Sequence, residues 1–277
     1  MLPSLDGVRL KMQRAYKQIY LLEDEITNFI DSRSYAPTLQ LDRISRTPCV
    51  DKFTIRVTIE RPCPADWGVI VGEIIHDVRS ALDHITYQLV IHATGSPPAD
   101  EHRTQFPIFL KPGTFDGARA TMLKGVSKKA TALIKDLQPF STGEDVVSPL
   151  WHLNQLSNID KHRTLHTTGG TVQVFNCEFP PFDNPGTVER DHIRETGAFE
   201  HNTILASGRF VSTTDKPMFS GNQVQMKAGM TFDVVFDQRT PLVEGWSVKG
   251  SLINIADRSR DCIAKIGSDI LSLDFVL

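Results

Sequence analysis

The segment Gly72–Leu89, GEIIHDVRSALDHITYQL, holds Arg79, His76, His84 and three carboxylates, Glu73, Asp77 and Asp83. A guanidinium is planar, permanently charged and doubly donating, so Arg79 suits a phosphate or a carboxylate. Histidine, with an ordinary pKa of about 6.5, suits proton transfer near neutrality. Ser80 adds a hydroxyl beside the arginine. A second polar group closes the string His152-Leu-Asn-Gln-Leu-Ser-Asn-Ile-Asp-Lys-His-Arg163, at Asn158, Asp160, Lys161, His162 and Arg163. Its cations stand at an expected helix end, where they meet the negative end of the helix dipole. Read as chemistry, it is a second wall of the site. Lys161 or His162 would touch a phosphate there, and Asp160 would orient His84 or pair with Arg79.

At about 100° per residue, Val71, Ile74, Ile75, Val78, Ala81, Leu82, Ile85 and Leu89 fall on one side of a helix. Glu73, His76, Asp77, Arg79, Ser80, Asp83 and His84 fall on the other. An amphipathic helix always has a polar side, and solvation is the usual reason. This side, however, has no lysine and is built from His, Asp and Ser, weaker helix formers than the Lys and Glu of most solvated faces.

The remaining elements are read from period and punctuation. Leu5–Phe29 steps by three and four through Val8, Met12, Ala15, Ile19, Leu22 and Ile26, predicting a helix with Ser4 as its cap. Tyr35–Val50, with Pro37 and Pro48, reads as a loop. Phe53–Ile59 alternates as a strand. Trp67–His92 is the long helix carrying Arg79, capped by Asp66 and closed by Gly95. Shorter helices are expected at Phe115–Lys124 and Lys128–Leu137, and a longer one at Val146–Arg163. From Thr167 to Val248 the chain turns Gly-, Thr- and Phe-rich. The clearest strands there are Thr171–Phe175, Gly208–Val211, Val224–Met226 and Thr231–Phe236. Ser251–Leu273 returns to helical spacing. Segregated helices and strands predict an α+β protein. Residues 1–165 would form a helical core with one strand, 166–248 an antiparallel β subdomain, and 249–277 a helix packing back on the core.

Composition narrows the function classes. The chain has 277 residues, 40% hydrophobic and 23% charged, with a net charge of −3. Non-specific nucleic-acid coats carry a strong basic excess, so any nucleic-acid contact must be local. Local basic clusters occur at Lys124, Lys128 and Lys129, and at Lys161 and Arg163. No apolar run approaches the roughly 20 residues of a membrane span. The acidic first 31 residues do not read as a signal peptide, so a cytoplasmic location without membrane contact is expected. Cys49, Cys63, Cys177 and Cys262 are too scattered for a zinc site or a disulfide framework and are expected as thiols. Trp67, Trp151 and Trp246 read as core or interface anchors. Phe175, Phe179, Phe182, Phe210, Phe219, Phe232 and Phe236 read as the inner face of the β subdomain. Phosphate-loop, dinucleotide-binding and nucleophile-elbow motifs are absent.

The string Arg79-Ser-Ala-Leu-Asp-His84 resembles the Arg-x4-6-His motif of the HEPN superfamily, compact helical-bundle proteins of toxin, abortive-infection and RNA-processing systems. The Asn158–Arg163 segment is similar to uncharacterised bacterial proteins that pair such a helix with an "IDKHR" segment. The resemblance covers about residues 1–165. It implies a HEPN-like core acting as a metal-independent, cofactor-free endoribonuclease in a homodimer, with RNA as substrate and an antitoxin or defence partner. In that picture Arg79 binds the scissile phosphate and His84 moves a proton for attack by the 2′-hydroxyl, leaving a 2′,3′-cyclic phosphate. The two side chains lie about 140° apart around one helix, so a second subunit would complete the site. Ser80 stands where active members often carry Asn, Asp or His. Two other readings fit the same residues. One is a non-catalytic nucleotide- or protein-binding module. The other is a metal-dependent hydrolase on Glu73, His76, Asp77 and His84, suggested by the Glu-x-x-His step.

Overall fold

A computed structural model describes every residue except Met1, Arg33, Thr47, His166, 172–175, Pro180, 194–196, 220–226, Met230 and Thr231. The chain is mixed α+β and divides into two compact units. One joins Met1–Glu23, Ala65–Leu165 and Lys249–Leu277; the other joins Asp24–Pro64 and His166–Val248. Among the described residues no helix is long and apolar enough to cross a membrane.

The first unit is helical. It takes most of α1 (Asp6–Asp31), then α2 (Trp67–Thr94), α3 (Pro112–Met122), α4 (Lys128–Asp136), α5 (Pro139–Thr142), α6 (Pro149–Asp160) and α7 (Val248–Ile266). In α1 the predicted stripe of Val8, Met12, Ala15, Ile19 and Leu22 is at most 2% exposed. The Ser4 hydroxyl accepts from the Asp6 N–H at 3.1 Å, as a start signal should. In α2 the six apolar residues Ile74, Ile75, Val78, Ala81, Leu82 and Ile85 are all fully buried. Each large side chain there contributes about 1.5–3 kcal/mol of burial, so α2 is the axis of the unit.

Helix ends depart from expectation for identifiable reasons. The Asp66 side chain does not cap α2; its backbone carbonyl instead takes the Val69 and Ile70 N–H groups at 2.9 and 3.0 Å. Gly95 closes the helix at φ 75°, its N–H bonded to the Ile91 carbonyl, a conformation glycine adopts without a Cβ penalty. The single helix expected over Val146–Arg163 is instead a 3-10 turn at Asp145–Val147 followed by α6. Pro149 is the reason, since its ring is tolerated only in a helix's first turn. The last helix extends through α7 into one π turn at Gly267–Leu271.

The second unit is the sheet unit, and here the expected division needs correction. Tyr35–Val50 is no loop: β1 (Tyr35–Arg46) pairs antiparallel with β2 (Cys49–Ile59). Proline is compatible with an outer strand, and Leu39 and Leu41 alternate as half-buried between exposed Thr38, Gln40 and Asp42. Nor does the Phe53–Ile59 strand belong to the helical core. Val50–Arg56 of β2 pairs with Val211–Ile204 of β7 (Ile204–Ser212), because a strand's backbone groups must find partners.

The other strands are β3 (Thr167–Thr171), β4 (Asn176–Glu178), β5 (Gly186–Ile193), β6 (Gly197–Ala198), β8 (Lys227–Gly229) and β9 (Phe232–Phe236). Among the described residues they form sheets ordered β1-β2-β7-β5, β6-β3-β9 and β4-β8, all antiparallel. The expected strand at Val224–Met226, and residues 172–175 of Thr171–Phe175, lie outside the described residues.

Phe53, Phe179, Phe210 and Phe219 cluster on the four-stranded sheet, with centroids of 4.8 Å for Phe53–Phe210 and for Phe179–Phe210. Phe182 joins its rim, still 40% exposed. Phe236 is buried and Phe232 packs on Tyr35 and Phe199. Trp67 is buried, whereas Trp246 is 44% exposed. Cys49, Cys63 and Cys262 are free thiols.

Close packing of α2 gives a direct test. A Cβ built on Gly68 would sit 1.9 Å from the Leu165 carbonyl oxygen, a backbone atom that cannot swing aside. Gly68→Ala is therefore expected to cost about 1–3 kcal/mol, despite the helix propensity it gains. Gly117→Ala in α3, where nothing lies within 4 Å of the new methyl, should stabilise by up to about 1 kcal/mol. Urea-unfolding midpoints of the two variants should move in opposite directions.

Candidate anion-binding site

The polar side of α2 is not one surface. It divides into three parts with different tasks. Toward α1, Asp77 is 3% exposed and takes Lys11 Nζ at 2.9 Å and Arg14 Nε at 3.1 Å. Glu73, exposed, accepts from Gln18 Nε2 at 2.8 Å. These carboxylates fasten α2 to α1. His84 is exposed and lies beside the first turn of α1, where a Cβ on Gly7 would stand 3.3 Å from its Nδ1.

Arg79 and Asp83 form the second part. One helical turn apart, they grip the backbone of Phe106 from both sides. Arg79 Nη2 donates to the Phe106 carbonyl at 2.6 Å and to Asp83 Oδ1 at 2.9 Å. Asp83 Oδ1 also accepts the Phe106 N–H at 2.8 Å. On the residues that follow Phe106, Gln138 repeats the device: its amide donates to the Pro107 carbonyl at 2.8 Å and accepts the Phe109 N–H at 3.0 Å. A segment without regular secondary structure thus has its backbone groups satisfied by side chains. Burial pushes the Asp83 carboxyl up from its ordinary pKa, and Arg79, the Phe106 amide and Lys161 pull it back.

Between α2, this segment and α6 lies a cleft of about 450 Å³. Arg79, Ser80 and Asp83 line it from α2, Gln105 and Phe109 from the segment, and Asn154, Asn158 and Lys161 from the end of α6. Arg79 is 9% exposed, and its Nη1 is buried without a hydrogen-bond partner among the described residues. Leaving such a donor unmet costs about 1–3 kcal/mol or more for a charged group. Arg79, the exposed Lys161 ammonium and the Asn158 amide give this cleft a set of donors that suits an oxyanion.

His76 belongs to the third part. It lines both this cleft and a neighbouring one of about 400 Å³ that also takes Lys11, Arg14 and Asp160. Asp160 lies over Gly72, whose added Cβ would come 2.1 Å from Oδ1. Burial pushes the Asp160 carboxyl up and His76 draws it back.

Comparison with family models, curated proteins and solved structures gives no match. The assignment of roles therefore rests on geometry. Arg79, Ser80, Asp83, His76, Asn158 and Lys161 line one cleft. His84 does not join them within one chain. Asp160 neither orients His84 nor pairs with Arg79; it faces His76. His162 and Arg163 are exposed past the end of α6, their N–H groups bonded to the Ile159 carbonyl, and they do not line the Arg79 cleft.

The proposed metal face also disperses, since Asp77 is held by two cations. Among the described residues no group of three His, Cys, Asp or Glu could hold a metal. The chain's other Glu-x-x-His step, Glu189 to His192, lies on strand β5 rather than on a helix. Sequence reasoning missed Asn154, Gln105 and Gln138. The signal for Asn154 was present, because Asn154, Asn158 and Lys161 recur at helical spacing on α6.

Because Arg79 and Asp83 hold Phe106, removing one strands the other. Asp83→Ala and Arg79→Ala are each expected to cost about 3 kcal/mol. The double variant should cost clearly less than their sum. Chemical denaturation of the four proteins gives the coupling directly.

Proposed function

We propose that the helical unit binds RNA through its phosphate backbone, with the Arg79 cleft as the phosphate pocket. The observation that carries this reading is the half-used guanidinium. Nη2 is committed to Asp83 and Phe106, whereas Nη1 is buried without a hydrogen-bond partner among the described residues, and Arg79 shares its cleft with Lys161 and Asn158. Structural pairing alone would explain Nη2 and leave Nη1 unexplained. The net charge of −3 agrees with a local contact rather than a broad basic surface. RNA, rather than another phosphate ester, is favoured by the resemblance of Arg79–His84 to the HEPN motif. Phe109, half-buried in the wall of the cleft, supplies a ring on which an unpaired base can stack.

A second reading is metal-independent cleavage, favoured by the exposure of His84. In a homodimer, His84 of a second copy would take the 2′-hydroxyl proton while Arg79 stabilises the charge that develops on the non-bridging phosphate oxygens. The 2′-oxygen bonds to phosphorus as the bond to the next nucleotide's 5′-oxygen breaks; that oxygen leaves as a hydroxyl with a proton from water, and a 2′,3′-cyclic phosphate remains.

The test separates the two. Lys161 is exposed and outside the Phe106 clamp, so Lys161→Ala should leave the unfolding midpoint unchanged. Fluorescence anisotropy with a short labelled single-stranded RNA should then show about five- to tenfold weaker binding. The slope of log K against log salt should fall by about 0.7. Binding by wild type that is absent at low salt, or equal in the variant, contradicts the proposal. Cleavage of the same RNA in EDTA that is lost in His84→Ala supports the second reading; binding without cleavage leaves the first alone.

A further inference from the structure

The two outer strands of the four-stranded sheet treat their free edges differently. β5 is interrupted by a bulge between Arg190 and His192 and exposes Glu189, Arg190, Asp191 and His192, devices that discourage pairing with another chain. β1 pairs only with β2 among the described residues.

Hydrogen bonds of β2 fix which β1 groups remain open. The Glu60 N–H donates to the Ser34 carbonyl at 2.9 Å, on the β1 side. The Val57 and Ile59 N–H groups go the other way, to the Thr203 carbonyl at 3.0 Å and His201 Nδ1 at 3.1 Å. Sides alternate residue by residue along a strand. Thr54, Arg56 and Thr58 therefore face β1, and their partners Gln40, Thr38 and Ala36 face β2. Leu39, Leu41 and Arg43 turn their N–H and C=O groups to the open edge. Pro37 falls on that edge too and, having no N–H, ends the row of donors on one side. The register shift between Arg43 and Ser45 ends it on the other.

The open window, Thr38–Arg43, is self-complementary about Leu41. Turned antiparallel on a second copy, Leu41 faces Leu41, and Leu39 faces Arg43 in both directions. All the outward groups are then used in about six backbone hydrogen bonds. On the alternate positions Gln40 meets Asp42 twice, so the amide-to-carboxylate pairing that each strand makes within itself at 3.2 Å is exchanged for the same pairing across the axis. Moving the centre to Gln40 sets Arg43 against Pro37 and loses a donor. Moving it to Asp42 sets like charges face to face.

We propose that two copies of the chain join through β1, pairing antiparallel about Leu41 to make one continuous sheet. The occupant of this edge is a second copy because the pairing about Leu41 uses every outward donor and acceptor of the window and sets amide against carboxylate on both sides of the axis. The surface lies within the sheet unit and does not depend on the Arg79 cleft.

Sedimentation velocity over a concentration series tests it. Wild type should shift from monomer to dimer as concentration rises. Leu41→Pro should weaken the dimer about tenfold or more. That residue's N–H points off the edge, where proline is tolerated, and an unchanged thermal melt confirms that the variant folds. As a second measurement, oxidised Leu41→Cys should cross-link into dimers beyond the wild-type background. Opposed Cα atoms would lie about 5.5 Å apart, within disulfide reach. Thr38→Cys, several residues off the axis, should not cross-link. A wild type that stays monomeric throughout, a dimer indifferent to Leu41→Pro, or equal cross-linking at both positions overturns the proposal.

Discussion

One ion pair decides how the helical unit is assembled. Arg79 and Asp83 present a cation and an anion on one turn of α2, spaced to take the C=O and N–H of a single residue, Phe106. The Phe106 ring is completely buried, so the segment that carries it must enter the apolar interior without strand or helix partners. A carbonyl or amide left unmet there would cost about 1–3 kcal/mol. The charged pair removes that cost, and burying the segment shields the pair in turn. The same placement leaves Arg79 lining a cleft shared with Asn154, Asn158 and Lys161.

The polar face of α2 thereby separates into structural and available groups. Asp77 and Glu73 are occupied with α1, and Asp83 with Phe106. What stays available is Arg79 Nη1, Lys161, Asn158 and the imidazole of His76. That set is rich in donors and suits an oxyanion better than a metal ion or a cationic ligand.

Much of the helical unit was legible beforehand because its signals are local. The three- and four-residue steps of α1 and α2 and the stop at Gly95 all act within a turn or two of chain. Errors came where the deciding contact is distant in sequence. Tyr35–Val50 reads as a loop because Pro37 and Pro48 look like breakers; only pairing with β2 shows that an outer strand admits Pro37. The alternation of Phe53–Ile59 marks a strand, but its partner β7 is some 150 residues onward, so no local signal shows which unit it joins. Likewise the helical wheel sorts Asp77 and Arg79 as polar. It cannot tell that Lys11 and Phe106 will bury them.

Nitrogen-resolved NMR of the arginine side chains during titration with single-stranded RNA tests the central claim most directly. Phosphate binding in the cleft predicts that the Arg79 guanidinium protons move downfield and become protected from exchange in step with saturation. Saturable RNA binding that leaves the Arg79 resonances unmoved would contradict it.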